Sequence, residues 1–188
     1  HHGNAVGCHD IGLLAAKWLS AAAGGDMQYA KAWQPHVVVD RELITGQNPF
    51  STAALAEAFV RASGRVPVAR EPWRDERSMA LVEHHLRQRD GSAAAQLAQR
   101  PADFHPELIG MLGFYQLRSA TAPAAIADAL SIMQLARPYM DEPRLDVAMA
   151  EAHWRLGRTG QARAQLQAVL EKQPGLDEAK ALLARMQP

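Results

Sequence analysis

Cysteine is almost absent: Cys8 is the single one in 188 residues. One thiol cannot close an internal disulfide, and it excludes zinc and iron–sulfur sites built from several cysteines. Net charge is absent too, since 20 Lys and Arg balance 20 Asp and Glu. That excludes a strongly basic nucleic-acid footprint and an acidic tail. Aromatic residues make only 6% of the chain. No apolar run approaches the roughly 18 residues of a membrane span, so no membrane partner is expected. Ile11 to Ala23 is apolar, but no basic segment precedes it, so it does not read as a signal peptide and a cytoplasmic location is expected. A starting Met is missing, which suggests part of a longer gene product. His1, His2 and Gly3 read as a tag remnant and are set aside.

Alanine is abundant, 36 residues against 11 aromatics, and such a composition favours closely packed helices. Residues 63–72, Ser-Gly-Arg-Val-Pro-Val-Ala-Arg-Glu-Pro, interrupt both helical and strand periodicity and read as a linker. Before it, periods mix. Ile11, Leu14, Ala15, Trp18, Leu19 and Ala22 recur at helical spacing, and Gly24-Gly25 ends that helix. His36-Val-Val-Val-Asp40 and Leu43-Ile-Thr-Gly46 flank Arg41-Glu42 and predict a hairpin. Ser51 or Thr52 is expected to cap a helix carrying Leu55, Ala58, Phe59 and Ala62.

After the linker no strand is expected. Helices are predicted to open at Pro72-Trp73, Gly91-Ser92, Pro106, Thr121, Pro143 and Thr159, with a last one from about Leu176. Pairs begin near residues 73, 106 and 143, a period of roughly 35, which is the spacing of helix-pair solenoids. Three antiparallel pairs and a terminal helix are expected, with Gly157 and Ala162 at close helix contacts.

Met149, Ala150, Gly157, Ala162, Leu166, Val169 and Pro174 fall at the spacings of a tetratricopeptide repeat, so residues 143–176 resemble one. His153 and Asp146 depart from the pattern, standing where a tyrosine and a large apolar residue are usual. The resemblance implies helical repeats with a protein or peptide partner across 73–188. A generic helical bundle is the alternative.

Trp33-Gln-Pro-His-Val-Val-Val-Asp40, Leu43-Ile-Thr-Gly-Gln-Asn-Pro49 and Ser51-Thr-Ala-Ala-Leu-Ala-Glu57 resemble the last strands and helix of a PfpI/ThiJ-like domain, in the class I glutamine amidotransferase superfamily. The resemblance implies an incomplete α/β sandwich over 4–62. It also implies a cysteine-dependent enzyme acting on a small carbonyl or amide substrate (glyoxalase-, deglycase- or amidohydrolase-like). Gly7-Cys8-His9 could be its nucleophile turn. A thiol at a helix N-terminus is favoured as thiolate, and an adjacent histidine can take its proton. Asp10 stands where the family has glycine, and is the nearby acid. The family also demands more residues between Ala21 and Trp33, so a break in the chain is expected there. Alternatively, Cys8 is an ordinary thiol.

His84 and His85 are adjacent and point to different faces, which does not suit metal ligation; a solvated face is expected. Arginines 70, 74, 77, 87 and 89 alternate with acids and read as a mixed-sign surface. His153 and Trp154 either line a repeat groove or pack in the core. No metal or cofactor is expected. The sequence therefore predicts a mainly α protein with a small N-terminal α/β portion followed by antiparallel helix pairs. It leaves two functions open: a cysteine-dependent enzyme with an appended helical interaction domain, or a non-catalytic scaffold binding peptides through its repeats.

Overall fold

The computed structural model describes residues 28, 30 and 33–186. Cys8, His9 and Asp10, the helix expected over 11–22 and most of the expected chain break lie outside them. Among the described residues the order is a hairpin, one helix, then seven helices: β1 (Val37–Asp40), β2 (Leu43–Gly46), α1 (Thr52–Ala62), α2 (Arg74–Gln88), α3 (Ser92–Gln99), α4 (Pro106–Ser119), α5 (Pro123–Ala136), α6 (Pro143–Arg155), α7 (Thr159–Lys172) and α8 (Asp177–Arg185). This is the mainly α architecture with a small α/β portion that the periodicity predicts.

The hairpin is antiparallel, with Val38 opposite Thr45 and Asp40 opposite Leu43. Its two-residue turn is closed by Arg41 in the left-handed region, φ 52°. Two side-chain amides tie the preceding segment down. Gln47 Oε1 accepts from Ala30 N–H at 2.8 Å, and Asn48 Nδ2 donates to Gln34 O at 2.6 Å. The expected cap of α1 is different in detail. Asn48 caps a short 3-10 turn over Pro49–Ser51 by accepting from Phe50 N–H. The Ser51 hydroxyl is buried and accepts from His36 N–H at 3.0 Å, so it joins the hairpin to the helix rather than capping α1.

Residues 65–73 carry no helix or strand. They are nonetheless held at one point, because Arg70 bonds both Glu57 of α1 (3.0 Å) and Glu76 of α2 (2.6 Å). Glu76 also accepts from Trp73 N–H, closing the first turn of α2.

Short turns fold the remaining helices into pairs: α2 with α3, α4 with α5, α6 with α7, and α8 alone. Prolines at the first position open α4, α5 and α6, where the missing N–H costs nothing. Thr121 does not cap α5, since its N-cap position is Ala122. Three apolar clusters succeed one another along the pairs. Val82, Leu97, Ile109 and Ile132 lie in the first, Leu117, Ala129, Met133 and Ala148 in the second, and Ala150, Ala162, Leu166 and Leu182 in the third. On α3 the buried face is Ala93 and Leu97; Ala95 is exposed.

Ala162 is fully buried, as expected of a close contact. Gly157 is not at one. A Cβ there would touch nothing within 4 Å, and its φ of 76° gives its real role, a left-handed stop after α6. The close approach lies instead at Gly113 on α4. A Cβ there would come within 2.7 Å of Met133 Cγ and 2.9 Å of the Ala129 carbonyl on α5.

Candidate functional site

The first helices of successive pairs, α4, α6 and α8, lie side by side. Contacts between their ends fix their direction. Arg144, at the start of α6, pairs with Glu178, at the start of α8. Arg155, at the end of α6, donates to the carbonyls of Leu117 and Ala120 at the end of α4. The three helices are therefore parallel, with their N-termini at one edge and their C-termini at the other.

Burial leaves part of α4 facing outward at helical spacing. Met111 and Tyr115, one turn apart, are 45% and 40% exposed. The Tyr115 ring is stacked by Trp33 at 5.2 Å and met edge-on by Phe114 at 5.6 Å. On α6, Trp154 is half-buried against the third cluster and carries Arg185 of α8 over its ring at 5.1 Å. Of the two roles weighed for Trp154 from sequence, packing against the core is the one observed. Arg118 lies over Phe114 at 5.9 Å in the same way. Arg163, in the first turns of α7, donates to Met186 O at 2.6 Å just beyond α8.

The last turns of α4, α6 and α8 hold Arg118, Arg155 and Arg185. The acids of the first turns of α6 and α8 are paired with cations, Asp146 with Arg137, Asp177 with Lys180 and Glu178 with Arg144. Burial, with Arg158 adding to it, pushes the His153 imidazole below its ordinary range.

A separate cleft of about 150 Å³ lies on the other side of α6, lined by Arg137, Asp141, Asp146, Gln165 and Lys172. The Arg137–Asp146 pair at 2.6 Å closes its floor. That pair explains why Asp146 departs from the repeat pattern: it neutralises an arginine from the preceding turn. A wider hollow of about 450 Å³ beside the hairpin is lined by Arg41, Glu42, Ile44 and Phe59.

His84 and His85 do not form a solvated face. Both are partly buried: His84 Nε2 meets Ser92 Oγ at 2.7 Å, and His85 Nε2 meets Ser131 Oγ of α5 at 2.5 Å. The mixed-sign surface of α2 is likewise only part of the story, because Arg74 donates to the Phe104 carbonyl and Arg89 pairs with Asp128 of α5. Neighbouring helices supply partners that a single-helix reading cannot see. Among the described residues, no group of three or more His, Cys, Asp or Glu could hold a metal ion, and no helix is long and apolar enough to cross a membrane. The sequence missed Tyr115, Arg118 and Arg185 as surface features. An aromatic followed four residues later by arginine, Phe114 and Arg118, was the available signal for one of them.

Compared with known proteins, residues 143–186 match the tetratricopeptide repeat family. The match spans α6, α7 and α8, the helices that build the arginine-bearing half of the face. No curated protein and no solved structure matched the chain.

Proposed function

We propose that the protein is an interaction module that holds a peptide segment of a partner protein against the outward face of α4, α6 and α8. The observation that carries the reading is the parallel side-by-side order of these helices, with Met111 and Tyr115 exposed one turn apart on α4 and Trp154 half-buried on α6. Stacked helix pairs generate extended surfaces of this kind, and half-exposed aromatics are the residues from which binding hot spots are made. Selection from a random peptide pool against the full chain tests it. The expected result is a set of peptides with a shared pattern, weakened at least about tenfold by Tyr115→Ala with the helical circular dichroism unchanged. A pool that enriches nothing sinks the reading.

A second reading takes the run of hairpin and helix over 37–62 as the end of a PfpI/ThiJ-like domain with Cys8 as nucleophile, His9 as its base and Asp10 as the acid. What favours it is the observed order of two strands and then a helix, the order the resemblance implies. Its test is Cys8→Ala. This substitution should abolish glyoxalase-like or deglycase-like turnover and leave the melting temperature unchanged; full activity in the variant rejects it.

A further inference from the structure

Among the described residues the arginines fall into three groups, one of which, Arg41, Arg65, Arg74 and Arg77, is scattered over the hairpin, the segment after α1 and α2 with no carboxylate partner. Arg61, Arg70, Arg87, Arg89, Arg100, Arg137 and Arg144 each have a carboxylate partner. Along the C-terminal edge of α4, α6 and α8 the pattern changes. Arg118, Arg155, Arg158, Arg163 and Arg185 crowd there, and among the described residues none of them pairs with a carboxylate.

Helix dipoles favour cations at helix C-termini, which fits Arg118, Arg155 and Arg185 in the last turns of α4, α6 and α8. Arg155 and Arg163 spend donors on the carbonyls that end α4 and follow α8. The guanidiniums of Arg118 and Arg185 lie over Phe114 and Trp154 instead. Both side chains are exposed, with Arg118 Cζ 5.9 Å from the Phe114 ring and Arg185 Cζ 5.1 Å from the Trp154 ring. An exposed guanidinium takes a carboxylate through two parallel hydrogen bonds. Stacking also lowers the side-chain entropy lost on binding. Three of the five tie neighbouring helices together. Arg155 bridges α6 to α4, Arg185 bridges α8 to α6, and Arg163 bridges α7 to the end of α8.

Resting on the interaction reading above, we propose that the segment held here is acidic: an Asp- or Glu-rich stretch of a partner protein whose carboxylates dock on Arg118, Arg158 and Arg185 along the C-terminal edge. At the opposite edge Glu178 is paired with Arg144 and Asp177 with Lys180, so no comparable set of arginines without carboxylate partners competes for the segment there.

Fluorescence anisotropy on the full chain tests the proposal, with a labelled dodecapeptide of Glu, Leu and Ser and its counterpart carrying Gln for Glu. The Glu peptide should bind at least about tenfold tighter, and the difference should shrink between about 50 mM and about 300 mM salt. Combined substitution Arg118→Glu, Arg158→Glu and Arg185→Glu should remove the difference. The control Arg61→Glu, Arg87→Glu and Arg100→Glu makes the same charge change elsewhere and should keep it. Circular dichroism of both variants verifies that they are folded, and the milder Arg118→Gln with Arg185→Gln replaces the first should it unfold. Equal binding of the two peptides, or equal loss in the control, overturns the proposal. So does salt-sensitive self-association that consumes the edge and excludes the peptide. Neutral peptides enriched from the random pool and indifferent to the arginine substitutions overturn the acidic preference alone. An empty pool overturns the interaction reading itself.

Discussion

At the scale of single residues, two positions carry consequences that neighbours on other helices impose. Gly113 has no room for a methyl group, because the obstructing atoms include backbone of α5 as well as the Met133 side chain. Gly113→Ala should therefore destabilise the protein by roughly 1–3 kcal/mol despite alanine's better helix propensity, read from urea or thermal melts. Gly110 is the instructive contrast. There the nearest atom is the flexible end of Met140, which can move, so Gly110→Ala should cost less. His85 is the second position. Burial, with Arg89 nearby, holds its imidazole below the ordinary range, and only Asp128 and the Ser131 bond oppose that. Arg89 and His84 on α2 and Asp128 and Ser131 on α5 surround it, and its Nδ1 has no partner. A folded-state pKa below the unfolded value means the unfolded chain binds the proton more readily. Stability from this group is then full above the unfolded pKa of about 6.5 and falls as the pH drops below it. His153, shifted the same way, adds to the slope. The melting temperature should be lower at pH 5 than at pH 7.5, and His85→Gln should flatten the dependence. A pH-independent melting temperature in the parent protein would contradict the assignment.

At the scale of elements, Ala162 marks where α7 is seated. It is fully buried in the third cluster with Leu166 and Val169. Ala162→Leu should overpack this seat and cost on the order of 1–3 kcal/mol, with no more than a small loss for Ala164→Leu on the exposed side. Element order and most helix starts were legible in the sequence because their signals are local: proline at the first turn of α4, α5 and α6, glycine after α6, and two β-branched runs around Arg41-Glu42. What was not legible came from other elements. Ser51 and Thr121 look like caps in isolation, yet the Ser51 hydroxyl goes to His36 and Ala122 precedes α5. Gly157 and Gly113 are both glycines beside or within helices. Only the fold shows that one supplies a left-handed φ and the other a close approach. The face itself was half visible: Trp154 stood out, whereas the stacked arginines depend on rings one turn away or on another helix. Cys8, His9 and Asp10 fall outside the described residues, so their geometry adds nothing to either reading.

At the scale of the whole molecule, burial is unevenly shared. From residue 33 to 73, Ser51 alone is buried, whereas α4 and α5 contribute to the first and second apolar clusters and α6 to the second and third. The hairpin and α1 keep Val39, Leu43 and Phe59 more than half exposed, and Val66 and Val68 nearly fully so. A two-stranded sheet with so little covered apolar area is marginal without support. Among the described residues the apolar support is small. Phe50 and Trp33 rest against the first cluster, and Arg70 ties α1 to α2 through ion pairs that are individually weak at such exposure. Local opening free energy follows buried apolar contact. The hairpin and α1 should then open without the helical pairs, and native-state hydrogen exchange should show it. Amides of Val38, Thr45 and α1 should exchange at least about tenfold faster than those of Ile132 and Ala150, and lose protection at lower urea. Trp33→Ala and Arg70→Ala should widen that gap by loosening the two attachments, while leaving exchange in α5 and α6 unchanged. Equal protection across both regions would mean that the hairpin and helix unfold only with the repeats, and that the small contacts of Trp33, Phe50 and Arg70 bind the molecule into one cooperative unit.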